Sequence, residues 1–347
     1  MGIDAAVIAI DKPAGLTSFQ VVNRVRRIFG VKKAGHTGTL DPAATGLLVV
    51  CLGRATRLAQ FITQGDKVYE GTLTLGIMTD SYDAEGQIVE TRPLPDGLSR
   101  ESIAEMASRF IGTIEQAPPP FSAAKHKGVP LYKLARKGIE IKKEPRKVEV
   151  FSFEITSVDL PHVGFRINCS KGTYIRSIAH DLGQLIGCGA ILSGLRRTRS
   201  GHITIEEAVG LEELRQRVEE AGPAGLVRPV DWALSHVPGI LVNNRDALKL
   251  VQGQGMTSAR LQHYLEEQAP ALLQARPEVL RIMALNREKK PILAGLVAWP
   301  EDDFRTPSLV KVMRVWASPA DIPTPTDRSA RAAIPGSEID RKKRLIS

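Results

Sequence analysis

Residues 35–46, GHTGTLDPAATG, constrain this chain more than any other stretch. Its three glycines and Asp-Pro pair suit neither helix nor strand: proline withholds an N–H and restricts the residue before it, and glycine gives up the most freedom in regular structure. LLVVCL directly behind it is continuously apolar, as a strand buried on both faces must be. AAVIAI at 5–10 reads as a second buried strand. His36, Thr37, Thr39 and Asp41 therefore sit in a loop at a strand mouth, among glycines that let backbone and ligand approach closely.

Around this core the pattern predicts mixed strands and helices without a regular βαβ repeat. Ser18 can cap a helix over roughly 19–29, with Val21, Val22, Val25 and Ile28 on one stripe. A helix at 55–62, a strand at 67–76 and a helix at 102–110 closed by Ser102 and Glu105 follow. The proline run in QAPPPFSAAKHKG makes 112–128 an exposed, basic, mobile loop, followed by a helix at 130–137. Strands near 147–157 and 163–169, a helix near 173–186, and a further strand and helix complete a domain over 1–228. Pro223 and Pro229 mark a linker, and a smaller unit covers 235–316, with a helix in 257–276 and strands in 278–315. The Pro-, Ser- and Arg-rich stretch 317–347 reads as a disordered basic tail.

Lys and Arg number 47 against 38 Asp and Glu, a balance of +9 that suggests an anionic partner, nucleic acid first, although a basic solvated surface gives the same count. Cys51, Cys169 and Cys188 are far apart with no CxxC pair, which argues against a zinc site or a disulfide framework. The start carries no signal-peptide pattern and no run approaches a membrane span, so a cytoplasmic protein is expected.

GHTGTLDPAATGLLVVCLGRATR at 35–57 resembles the signature of the TruB family of tRNA pseudouridine synthases. DKPAGLTS at 11–18, KVYEGTLTLGIMTDSYDAEG at 67–86, QAPPPFSAAKHKGVPLYKLARKG at 116–138 and CSKGTYIRSIAHDLGQLIGCGAILSGLRRTRSGHI at 169–203 join it in the family's order. The resemblance implies an α+β pseudouridine synthase fold: a mixed, largely antiparallel sheet flanked by helices and loops, plus a small C-terminal PUA-like β-rich domain. It implies isomerisation of the uridine at tRNA position 55, in the TΨC arm, by base flipping and carboxylate catalysis. Substrate and product are isomers, so neither cofactor nor metal is expected. The expected partner is the tRNA TΨC stem-loop, acted on by a monomer with no obligatory protein partner.

The resemblance assigns Asp41 as the essential carboxylate, Arg176 as its ion-pair partner, and Tyr69 as the residue that stacks on the base. Taken alone, an Asp before Pro commonly just starts a turn, a helix arginine is usually solvated, and Tyr69 shares a strand face with Leu73 and Leu75 as a packing residue would. His36 matches the histidine that fills the space of the flipped base, and Leu195 matches a residue lining the uracil site. Thr39 and Tyr174 join the RNA-contacting set. Arg54, Arg57, Lys125, Lys127, Lys133, Arg136, Lys137, Arg196, Arg197 and Arg199 would meet phosphates, which give affinity and register but little sequence reading. The segment 112–138 corresponds to an RNA-clamping insertion. Two rivals stay open: an RNA-folding chaperone, in which binding is primary, and a guide-RNA-dependent relative that modifies ribosomal RNA.

Overall fold

A computed structural model describes residues 3–122, 125–126, 129–130, 144–301, 304–305 and 308–323. The chain divides into two compact units, Met1–His236 and Val237–Ser347.

The first unit is built on one mixed, largely antiparallel sheet. Its strands run in the order Val209–Gly210, Ala5–Lys12, Thr45–Gly53, Ala190–Ser200, Lys67–Leu75, His162–Cys169, Arg146–Asp159 and Gly112–Gln116. Ala34–His36 adds to Thr45–Gly53 and Ile203–Thr204 to Ala190–Ser200. Two of these pairings are parallel: Ala5–Lys12 with Val209–Gly210, and Thr45–Gly53 with Ala190–Ser200. Leu47 to Leu52 are all buried, as the apolar run requires of an interior strand. The Ser18–Ile28 helix covers one face through Val21, Val22 and Val25, which pack on Ile8, Ile10, Leu48 and Val50. The Ile175–Ile186 helix joins a second core with Leu73, Phe153, Phe165 and Leu192.

Several local expectations are corrected. Thr17, not Ser18, caps the first helix, in a reciprocal pair with Gln20, because the Ser18 hydroxyl is engaged with Leu40. Ser99 caps the Arg100–Ser108 helix, with Ser102 as its partner three positions on. Gly112–Gln116 is no loop: it pairs with Arg146–Val150 as the edge strand. Within the expected clamp, residues 123–124, 127–128 and 131–138, and with them all but the first position of the helix placed at 130–137, lie outside the described residues.

The second unit is a four-stranded sheet in the order Gly239–Leu241, Val279–Leu285, Pro291–Ala298 and Val312–Val315, with helices at Asn244–Val251, Ser258–Gln268 and Ala271–Ala275. Its core gathers Leu250, Leu261, Leu265, Leu280, Ile282 and Val297. Residues 317–323, the first of the expected tail, pack on this unit: Ala317 and Ile322 are buried in its core and Pro319–Asp321 forms a 3-10 turn, while 324–347 lie outside the described residues. Among the described residues no helix is long and apolar enough to cross a membrane.

Candidate active site

The loop ahead of Thr45–Gly53 is fixed from several sides. Lys12, wholly inaccessible, donates from Nζ to the carbonyls of Pro13 (2.9 Å), Leu16 (2.7 Å) and Pro42 (3.0 Å). Ser18 Oγ donates to the Leu40 carbonyl at 3.0 Å and accepts from the Leu40 N–H at 2.8 Å. Arg197 donates to the carbonyls of Leu47 (2.7 Å) and Gly38 (3.1 Å). Gly46 adopts φ +96°, and a Cβ there would stand 2.4 Å from the Arg197 carbonyl oxygen, so the close approach of the two strands requires glycine. These anchors hold Asp41 at the strand mouth, with 41% of its side chain exposed.

Arg176, in the first turn of Ile175–Ile186, has a side chain only 6% exposed. Its Nε lies 3.0 Å from Asp41 Oδ2, and Nη2 donates to Asp41 Oδ1 at 3.3 Å. Nη1 lies 3.3 Å from Asp83 Oδ2 and donates to the Ser81 carbonyl at 3.0 Å, while Nη2 also reaches the Phe121 carbonyl at 2.9 Å. One buried guanidinium thus joins two carboxylates and two backbone carbonyls, a task for a planar fork rather than a point charge. A cavity of about 40 Å³ is lined by Asp41, Asp83, Arg176, Leu192, Gly194 and Leu195. It has room for little more than a water, so admitting a nucleobase requires its walls to part.

Burial pushes the Asp41 carboxyl above the ordinary range; Arg176 opposes this, the like charge of Asp83 adds to it, and Lys12 opposes it again. Lys12 is pushed down to about 8, chiefly by burial, with Asp41 working the other way. Burial also raises the Tyr69 phenol, which favours its protonated form, with Arg197 opposing. His36 is lowered by burial and by Arg197; its Nδ1 accepts from the Gly38 N–H at 3.3 Å, which leaves the neutral ring's proton on Nε2.

Asp41, Arg176 and Leu195 therefore share one cavity, with Thr39 on the same loop; His36 ends the Ala34–His36 strand, and Thr45 and Gly46 open the next, so the loop is shorter at both ends than the 35–46 expected. Tyr69 lies in the packed core beside Leu73 and Leu75, 9% exposed. Tyr174 precedes the Arg176 helix and is bracketed by the Gln116 side chain, with the Arg146 guanidinium 4.9 Å above its ring. Arg54 and Arg57 sit past the far end of Thr45–Gly53, Arg54 paired with Asp4. Arg196 grips Asp11 with two nitrogens, and Arg199 pairs with Asp66. Arg197 does not fit a phosphate contact: it is 3% exposed and engaged with backbone carbonyls, so it scaffolds the loop instead. The side chain of Lys125 and all of Lys127, Lys133, Arg136 and Lys137 lie outside the described residues. Lys12 and Asp83 were missed; both stand inside matched motifs, yet Lys-Pro and an Asp ahead of Ala-Glu-Gly read locally as turn residues.

The family model "TruB family pseudouridylate synthase (N terminal domain)" matches residues 26–175, and "tRNA pseudouridylate synthase B C-terminal domain" matches 176–235. The tRNA pseudouridine synthase B of Syntrophotalea carbinolica is 47% identical over 236 residues, covering 68% of this chain and 76% of that protein. That of Geobacter sulfurreducens is 45% identical over 257 residues, covering 74% and 84%. Among solved structures, a chain in the crystal structure of a Cbf5-Nop10-Gar1 complex superposes with a TM-score of 0.69 at 26% identity, over 93% of this chain and 88% of that one. A chain in the archaeal box H/ACA sRNP Nop10-Cbf5 complex gives 0.65 at 25% identity, over 93% and 89%.

Proposed function

The chain belongs to the TruB family of pseudouridylate synthases, and from that premise we propose that it isomerises one uridine of the TΨC arm of tRNA to pseudouridine, with Asp41 as the catalytic carboxylate. The observation that carries the reading is the two-point pairing of Asp41 with Arg176 on a cavity shared with Leu195. The reaction breaks the C1′–N1 bond, turns the uracil, and joins C5 to C1′; the C5 proton leaves, N1 gains one, and no atom is added overall. A carboxylate serves this either by bonding covalently or by neutralising positive character at C1′, and both require the ionised form that Arg176 favours. A glycosidase would need a proton-donating carboxyl set across the bond from the first. Asp83 is held by the same guanidinium as Asp41, which fits a carboxylate that sets the arginine's position.

The target is stacked inside the folded arm, so it has to be turned out into the cavity, with His36 in the space it leaves and Tyr69 against the base. The raised phenol of Tyr69 suits a hydrogen-bond donor better than a phenolate base. Thr39, Tyr174, Arg54, Arg57 and Arg196 are proposed RNA contacts, and the second unit a PUA-like RNA-binding domain. The experiment is to incubate the purified chain alone with unmodified tRNA and map pseudouridine at single-nucleotide resolution. One modified uridine in the TΨC arm is expected. Tight binding without product would favour the chaperone reading, and activity only with added guide RNA and proteins would favour the guided one.

A further inference from the structure

A groove of about 580 Å³ runs between the Ser18–Ile28 helix and the Ala34–His36 strand, outside the cavity that holds Asp41. Its helical wall carries Phe19, Asn23, Arg26 and Arg27, spaced i, i+4, i+7 and i+8 and so on one face; its strand wall ends at His36. Phe19 is 70% exposed, so folding gains little from its ring where it stands. No lining residue is acidic, and the segment 18–36 carries Arg24, Arg26, Arg27, Lys32 and Lys33 with no Asp or Glu. Arg26 and Arg27 make no ion pair among the described residues.

An open aromatic ring with guanidinium groups a turn or two along is the combination that takes single-stranded nucleic acid: a base stacks on the ring, and the guanidinium groups meet the phosphates beside it. His36 lines the groove and stands five residues before Asp41, so the chain that walls the groove runs directly into the loop that presents the carboxylate. The neutral imidazole, with its proton on Nε2, suits a hydrogen bond at that junction better than a phosphate contact. We propose that this groove is a second RNA subsite, taking an unpaired nucleotide that flanks the target, with its base on Phe19 and its phosphates against Arg26 and Arg27. The proposal rests on the tRNA reading given above and adds to it a place where the displaced strand is gripped.

The test uses the full-length chain and unmodified tRNA, with Kd measured across a salt series for wild type, Phe19→Ala, Phe19→Trp and the double variant Arg26→Gln/Arg27→Gln. Phe19→Ala should weaken binding roughly five- to hundredfold, the range expected for one stacked base, and Phe19→Trp should keep wild-type affinity. The double arginine variant should flatten the dependence of log Kd on log salt by about 1.4 units, about 0.7 for each phosphate contact on a single strand. The proposal is overturned if Phe19→Ala, with wild-type circular dichroism and Tm, binds tRNA within twofold of wild type, or if the double variant keeps the wild-type salt slope. It is equally overturned if Phe19→Ala instead shifts a self-association seen by sedimentation, because the groove would then seat a second copy of the chain. Pseudouridine mapping with the wild-type chain is scored separately: absence of product defeats the enzymatic reading, while the binding comparison still decides the groove.

Discussion

Arg176 grips Asp41 at two points, Nε to Oδ2 at 3.0 Å and Nη2 to Oδ1 at 3.3 Å, across 135 residues of sequence. Its remaining nitrogen turns to Asp83, so the charge of Asp41 is tied to an arginine that is itself held between two acids.

Replacing that arginine by lysine keeps the charge and loses the fork. In Arg176→Lys one ammonium cannot reach Asp41, Asp83 and the carbonyls of Ser81 and Phe121 together, so buried acceptors lose their donors. The single-turnover rate on tRNA should fall at least about hundredfold. Unfolding free energy should drop by about 1–3 kcal/mol, the cost of leaving buried acceptors without a donor. A rate within threefold of wild type would contradict the role given to the guanidinium.

Asp83 should reveal itself through pH. Its negative charge is one of the causes that raise the Asp41 carboxyl, so Asp83→Asn lowers the pKa of Asp41. Since the reaction needs Asp41 ionised, activity is lost as pH falls through that pKa. The acid limb of the rate profile should therefore move to lower pH in the variant. An acid limb that stays in place, or moves up, would mean that another group sets it.

Lys12 gives a stability signature at the alkaline end. Its folded value of about 8 lies below the ordinary 10.5, so between those pH values the unfolded chain holds the proton that the folded chain has released. Stability therefore rises with pH through this window. Denaturant unfolding should show wild type gaining about 2 kcal/mol relative to Lys12→Met between about pH 7.5 and pH 10. A flat difference would place the Lys12 ammonium in a better-solvated setting than its three carbonyl partners indicate.

The Thr45–Gly53 strand was legible because an unbroken apolar run has few other places to go, and the loop before it because glycine and Asp-Pro exclude regular structure. Gly112–Gln116 was not: Thr113 and Ile114 favour a strand, but Gly112, Glu115 and Gln116 do not, and the proline run directly behind reads as loop, so only pairing with Arg146–Val150 makes the segment one. Arg196 and Arg197 show a finer limit. Neighbours on a strand point to opposite faces, so one of the two had to turn inward, but nothing in Leu-Arg-Arg-Thr says which. Arg197 proves to be the buried one because the Leu47 and Gly38 carbonyls await it from the adjacent strand and loop. Asp41 and Arg176 could be paired on paper through motif spelling alone, since no local pattern links positions so far apart. The part played by Lys12 was hidden for the same reason: its three carbonyl partners are assembled only by the turn that brings Pro42 back to Pro13 and Leu16.

The most direct test of the account is Asp41→Asn, which keeps the shape of the side chain and removes its charge. Purified variant and wild type are compared for tRNA affinity and for pseudouridine formed in the TΨC arm at saturating protein. The account predicts near-wild-type binding with no pseudouridine above background. Product formed by the variant at a rate comparable to wild type would contradict it.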